Sequence, residues 1–362
     1  MKTVFTRQFV LFIALAGCVS TYLLPAESRA QTKTWKGWKA LPHEGTTDVP
    51  VCAVVPSLGQ VLVFSKGIDD RRIYMMEYGD YRVEDGGWGE WLAVTEPAKT
   101  ASDLLLGSHS VDASVAAVRM HGPAGQKARG HMLFYKDIKG RIRTADAKEV
   151  GGGGLTNSAP SAVVGGDGVH LFVRGLNDSI WTNVLTVTSW APEPTFAGWS
   201  GWAPVPTGDL VGTTDVAPAA ASIWTTSSTG IYLFAKGIDD HQVYMNGMNP
   251  VAGWSGWEMV PGDMTTNVAL SAVILPDVNF IQNICLFATR TDGKVFMNSL
   301  PVRTGSGNDI RIQYPPLTWL GWEEVPGFTT DTSPSATAML DLLWVFARGA
   351  DNTIHFNEQQ RP

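Results

Sequence analysis

The stretch LFAKGIDDHQVY, residues 233–244, decides the fold because the chain repeats it. Close copies are VFSKGIDDRRIY at 63–74, LFVRGLNDSIW at 171–181 and VFARGADNTIH at 345–355. Looser ones are LFYKDIKGRIR at 133–143 and LFATRTDGKVF at 286–296. Each places an apolar residue before a Phe, then, two positions on, a basic residue (Thr289 in the copy at 286–296, with Arg290 after it), a Gly/Asp turn and a β-branched/aromatic pair. The Phe anchors are Phe64, Phe134, Phe172, Phe234, Phe287 and Phe346. Alternation on either side of a turn rich in Asp, Asn and Gly is the signature of a β-hairpin. Asp239-Asp240, Asn177-Asp178, Asp292-Gly293 and Asp351-Asn352 are the dipeptides that tolerate its positive φ angles.

Six copies at a spacing of roughly 55 residues match the period of four-stranded propeller blades. Upstream of each hairpin runs a small-residue segment, such as VPVCAVV at 49–55 or APAAAS at 217–222. Ala and Ser there suit an innermost strand crowded at an axis. Downstream come paired tryptophans: Trp88/Trp91, Trp199/Trp202, Trp254/Trp257 and Trp319/Trp322. The expected architecture is all-β, a six-bladed propeller of four-stranded antiparallel blades. The last repeat has no Trp strand, whereas WKGW at 35–38 precedes the first. The N-terminal segment is therefore expected to complete blade six and close the ring, which removes an exposed sheet edge. Blade two breaks the pattern, because only KEVGGGGLTN (148–157) follows its hairpin and its outer strand should be short or absent. Residues 92–113, 121–130 and 186–197 read as long irregular loops.

Residues three apart on a regular strand point to opposite faces. Trp254 and Trp257 should thus face two different neighbours unless Gly256 sits in a bulge. The pair reads first as an inter-blade staple and second as a platform on which a pyranose ring could stack. The basic residue of the hairpin phrase shares a face with the Phe. It reads as an ion-pair partner or as a donor to sugar hydroxyls. On this reasoning the candidate ligand-binding residues are Trp199, Trp202, Trp254, Trp257, Trp319, Trp322, Arg174, Lys236 and Arg348. The grooves between blades three and four and between four and five are favoured.

Composition limits the alternatives. With 38 Gly, 21 Pro and 14 Trp but only 17% charged residues, the 362-residue chain reads as a turn-rich β protein. Residues 1–30 read as an export signal: Lys2 and Arg7, an apolar run from Phe9 to Leu24, and cleavage after Ala30. LAGC at 15–18 offers the alternative of a lipoprotein signal (1–17) with Cys18 lipidated. Either way 31–362 is expected to be a single propeller domain, exported and secreted or periplasmic, or held at an outer membrane through Cys18. Without residues 1–30 the chain carries 24 basic against 33 acidic side chains, a net −9. No basic stripe is left to follow phosphates, so nucleic acid is not an expected partner. No transmembrane helix is expected in the mature chain. Cys52 and Cys285 lie in different blades and read as buried thiols.

The phrase Phe-x-Arg/Lys-Gly-x-Asp/Asn, followed by an aromatic strand and GWSGW, resembles the repeat of PLL-like (Photorhabdus lectin-like) β-propeller lectins. The resemblance is clear in blades one, three, four and six, partial in five and poor in two. It implies shallow inter-blade sites for fucose-type or methylated saccharides, so glycans are the expected partners. The alternative is an exported or lipid-anchored propeller that binds a protein partner on its loop rim.

No cofactor is implied. The seven histidines show no metal-ligand spacing, and neither a nucleophile elbow nor a phosphate loop occurs. The carboxylate pairs Asp69-Asp70, Asp239-Asp240 and Glu323-Glu324 lie within the repeat frame, as scaffold residues would. The expectation is a binding protein rather than an enzyme.

Overall fold

The small innermost segments run side by side as a ring of six strands: Cys52–Ser57, Ala116–Arg119, Ser161–Val164, Ala219–Trp224, Ser271–Pro276 and Ser335–Met339. Each adjoins the next, and the last adjoins the first. This is a computed structural model that describes residues 34–79, 87–94, 111–120, 130–190, 193–207, 213–224, 229–276, 281–303, 318–340 and 342–360. Residues 1–30, read as an export signal, lie outside the described residues, as do most of the expected loops at 92–113 and 121–130. No described segment is α-helical.

Each inner strand pairs antiparallel with the Phe strand, and the Phe strand with the aromatic strand. The outer strand follows, as in blade four, where Ala219–Trp224, Thr229–Lys236, Val243–Asn249 and Gly253–Met259 are consecutive neighbours. Blade six is Ser335–Met339, Leu342–Arg348 and Ile354–Gln360, completed from the other end of the chain. Thr34–Trp35 pairs with Gln360 and Gln359, and Lys39–Ala40 with Phe356 and His355. The N-terminal segment closes the ring. Blade two has three strands, and its outer edge is reduced to single bridges such as Arg143 to Glu149. The stretch expected to loop at 186–197 instead belongs largely to two paired strands, Ile180–Ser189 and Thr195–Trp199.

Small residues at the axis have a hydrogen-bonding task as well as a steric one. The residue opposite the Phe anchor on each inner strand is Ser, Ala or Cys. Ser335 Oγ accepts the backbone N–H of Ala53 at 3.0 Å, and Ser271 Oγ accepts that of Ala336 at 2.9 Å. Cys52 Sγ takes the same place towards Ala117 N at 3.2 Å. Its thiol is pushed up to about 12 by burial, so it stays protonated and unreactive. Cys52 and Cys285 are not joined in a disulfide.

The turns show where single residues decide geometry. Positive φ falls on Asp178, Gly293 and Asn352, within the expected dipeptides. In blades one and four, which carry one extra residue, it falls instead on Arg71 and His241. There the second aspartate caps the turn. Asp240 accepts the N–H of Gln242 and the Tyr244 hydroxyl, and Asp70 does the same for Arg72 and Tyr74.

Candidate functional site

The tryptophan pairs do not face two neighbours. In blade four Trp254 lies opposite Met248 and Trp257 opposite Asn246, with a register shift between. Met248 and Asn246 are two apart and share a face, so both indoles do too. The cause is Gly256, whose φ of +97° makes a bulge between the tryptophans. Gly37, Gly201 and Gly321 have the same positive φ in blades six, three and five.

The side chain that fixes the bulge is an asparagine on the neighbouring strand. Asn246 Oδ1 accepts Gly256 N at 3.1 Å. Asn183 does the same for Gly201, Asn298 for Gly321 and Asn357 for Gly37. All four asparagines are fully buried.

With one face, each pair has one partner, the preceding blade in the ring. Trp199 and Trp202 pack on blade two, Trp254 and Trp257 on blade three, Trp319 and Trp322 on blade four. Trp35 and Trp38 pack on blade five, and Trp88 and Trp91 on blade six. The first Trp of each pair meets the Phe anchor of that blade edge-on. Trp199–Phe134, Trp254–Phe172, Trp319–Phe234, Trp35–Phe287 and Trp88–Phe346 have centroids 6.0 to 6.3 Å apart and planes at 75° to 89°. This T-shaped geometry satisfies the ring quadrupoles. The glycine run of blade two is the seat for one such pair: a Cβ on Gly154 would lie 2.4 Å from Trp202 Nε1.

The basic residues of the hairpin phrase are held in ion pairs. Lys236, 1% exposed, places Nζ 2.6 Å from Asp215 Oδ1, and Lys66 and Lys136 meet Asp48 and Asp112 likewise. Arg174 binds Asp178 and donates from Nη1 to the carbonyl of Asp215 at 2.9 Å, so Arg174 and Lys236 meet at one residue. Arg348 binds Asp331 and Asn352. In blade five Thr289 replaces the base and donates to the carbonyl of Thr332 at 2.8 Å.

An open groove of about 620 Å³ lies between blades five and six. One wall is the outer strand Trp322–Thr329 with Lys294; the other is the turn Gly349–Asp351 with His355. Phe328 and His355 line it, and Trp38 backs Phe328 from outside the lining to make a ladder of three rings. Phe328 stacks on Trp38 with centroids 4.4 Å apart, and His355 lies 4.9 Å from Phe328. Beside the ladder, Lys294 Nζ donates to Glu324 Oε2 at 2.9 Å, both side chains staying partly exposed. Asp351 lies at the opposite wall, its carboxyl held below the usual range by hydrogen bonds from the Thr353 hydroxyl and backbone N–H. Aromatic faces flanked by an ammonium and two carboxylates match the two surfaces of a sugar, apolar C–H faces and a hydroxyl rim. Of these residues the sequence reading had Trp38 as part of the closing strand, Asp351 as a turn former and Glu324 as scaffold, and none of them as a ligand contact. A second concavity of about 490 Å³ lies on the axis among the inner-strand segments, next to Asp112, Asn267 and Asp331. Among the described residues no cluster of three or more His, Cys, Asp or Glu could hold a metal, and no helix is long and apolar enough to cross a membrane.

No protein-family model and no curated protein matches the chain. Solved propellers do. AofleA from Arthrobotrys oligospora aligns at a TM-score of 0.55 with 12% identity, over 88% of this chain and 84% of that one. The GH93 α-L-arabinofuranosidase of Fusarium graminearum, solved with arabinobiose, aligns at 0.57 with 13% identity, over 91% and 98%. The Penicillium chrysogenum α-L-arabinanase, also with arabinobiose, aligns at 0.52 with 11% identity, over 91% and 98%. The chain has a β-propeller fold. At these identities the likeness shows the fold alone, and the PLL-like repeat remains a resemblance. One expectation is corrected. The chain was read as a binding protein rather than an enzyme, yet its fold aligns with two glycosidases as well as it does with AofleA. Isolated carboxylates can do such chemistry, and a repeat frame does not disclose them.

Proposed function

We propose that this protein binds carbohydrate in the groove between blades five and six. The ladder Trp38–Phe328–His355 beside Lys294, Glu324 and Asp351 carries the reading. Phe328 offers its exposed part to the apolar face of a pyranose, while Lys294 donates to ring hydroxyls and Glu324 and Asp351 accept from them. Fucose-type or methylated saccharides are the first class to try, because the repeat resembles that of PLL-like lectins. Their methyl groups would add apolar area on the Phe328 side. The Trp pairs then act as scaffold that fixes the groove walls, and the export signal would deliver the protein to where glycans are met.

A glycan array on the purified mature chain, followed by calorimetry on its hits, tests this reading. Hits that weaken tenfold or more in both Phe328→Ala and Lys294→Ala support it. An array without hits, or affinities unchanged in both variants, would refute it. Product analysis of each bound oligosaccharide shows in the same experiment whether it is also cleaved.

A further inference from the structure

Ala53, Ala117, Ala162, Ala220, Ala272 and Ala336 form one layer of the axial ring, each following the residue opposite a Phe anchor. That preceding residue bonds to the Phe strand, so by strand alternation the alanine N–H points to the axis. Three of these N–H groups are capped from the preceding blade: Ala53 by Ser335, Ala117 by Cys52 and Ala336 by Ser271. The other three are not capped by any described residue. Ala116 and Ala219 stand where an acceptor would serve Ala162 and Ala272, and they have none to offer. Ser161 has the hydroxyl but makes no bond to Ala220.

The uncapped donors are consecutive, on blades three, four and five, and all line the axial cavity of about 490 Å³. The same half of the wall carries the half-buried Ser161 hydroxyl and, at the mouth, the exposed Asn267 amide. Neither has a partner among the described residues. The facing half is satisfied within itself. Its N–H groups are capped, Asp112 pairs with Lys136 at 2.7 Å, and Asp331 pairs with Arg348 at 2.5 Å. Unmet donors cost stability unless something bonds them, and their restriction to one side calls for an occupant held against that side.

The lining also defines the occupant. No Lys, Arg or His reaches the cavity and two carboxylates stand at its mouth, so an anion is disfavoured. Both carboxylates are already ion-paired, so no uncompensated charge draws a cation. A strand edge alternates N–H and C=O, and a hydroxyl can accept from the one and donate to the other. Val115, Leu270, Pro160 and Pro218 supply apolar surface beside that edge. We propose that the axial cavity is a second binding site, for a neutral polyhydroxylated molecule of monosaccharide size. Its hydroxyls bond the N–H groups of Ala162, Ala220 and Ala272 together with Ser161 and Asn267. The site is separate from the groove between blades five and six and does not depend on sugar binding there.

myo-Inositol and D-glucose are the free probes, measured by calorimetry on the mature chain carrying Phe328→Ala, which removes the stacking ring of the groove. At least one should bind saturably with one equivalent. D-glucose coupled to agarose through its anomeric oxygen separates the two sources: retention assigns the ligand to a glycan end, free binding without retention to a solute. Ala116→Ser and Ala219→Ser supply the two missing acceptors, as Ser335 does for Ala53. Together they should weaken binding at least tenfold without lowering the melting temperature. Asn267→Ala, at the exposed mouth, should weaken it severalfold and serves if the double variant misfolds. Three results would each overturn the assignment: no saturable binding of either probe, affinities unchanged in these variants, or crystal density for the probe away from Ala162, Ala220 and Ala272.

Discussion

The backbone N–H of Gly256 donates to Asn246 Oδ1 at 3.1 Å, and this bond turns Trp254 and Trp257 to the same side of the blade. Replacing Asn246 by Ala leaves the Gly256 N–H without its acceptor in a half-buried seam. A lost partner of this kind costs about 1–3 kcal/mol. Urea denaturation of Asn246→Ala should show that loss with an unchanged slope. Near-UV circular dichroism should weaken as the two indoles lose their fixed orientation. Asn298→Ala and Asn357→Ala should behave alike. Met76→Ala should lose only apolar packing, since Met76 holds the corresponding place in blade one and makes no such bond.

The glycine run of blade two makes a second prediction. A Cβ on Gly154 would lie 2.4 Å from Nε1 and 2.5 Å from Cε2 of Trp202, so the indole must move. Overpacking of this sort costs about 1–3 kcal/mol. Gly154→Val should lower the melting temperature and shift tryptophan emission, whereas Gly153→Val meets no atom within 4 Å and tests backbone strain at φ +65° alone. If the two variants melt alike, Trp202 is not seated on Gly154.

These cases show what the sequence could disclose. The hairpin phrase is local, so its six copies and the count of blades were legible, and the surplus WKGW before the first repeat revealed the closure. The facing of Trp254 and Trp257 was not. The two-residue period of a strand fails where a glycine takes positive φ, and the Asn246 that fixes the bulge is one polar residue among apolar ones. The glycines at 151–154 looked like a defect of blade two, although they are what lets Trp199 and Trp202 of blade three approach. The groove residues were hidden for another reason. Lys294, Phe328 and His355 come from three strands of two blades, and only the ring geometry brings them together.

Ring closure gives a third prediction. Trp35 packs edge-on to Phe287 at 6.3 Å, and Trp38 stacks on Phe328. A chain beginning at residue 42 loses both indoles and leaves the strand Ile354–Gln360 with an open edge. Loss of a packed Trp alone costs about 3 kcal/mol, and an unpaired edge promotes association. The truncated chain should unfold at lower urea and sediment as oligomers. Adding back a peptide of residues 31–41 should restore the sedimentation of the full mature chain, and failure of that rescue would count against closure as the cause.

Asp137 makes the last prediction, a pH dependence. It stands in blade two where Gly237 stands in blade four, and it is buried at 7% exposure. Burial alone would raise its pKa. Hydrogen bonds from Arg143 Nε at 2.8 Å, from the backbone N–H of Arg141 and Lys139 and from Arg141 Nε outweigh it and bring the carboxyl from 3.8 to about 2. A depressed folded-state pKa means that the unfolded chain binds the proton first as pH falls. Stability from Asp137 is therefore complete above about pH 4 and lost as pH falls towards about 2. Its size is on the order of 2 kcal/mol. Urea titrations at pH 7, 4, 3 and 2 should show Asp137→Asn well below the parent at pH 7 and 4. The gap should close between pH 4 and 2, because only the parent loses a charged acceptor there; a gap that stays constant down to pH 2 would show that Asp137 is not what holds Arg141 and Arg143.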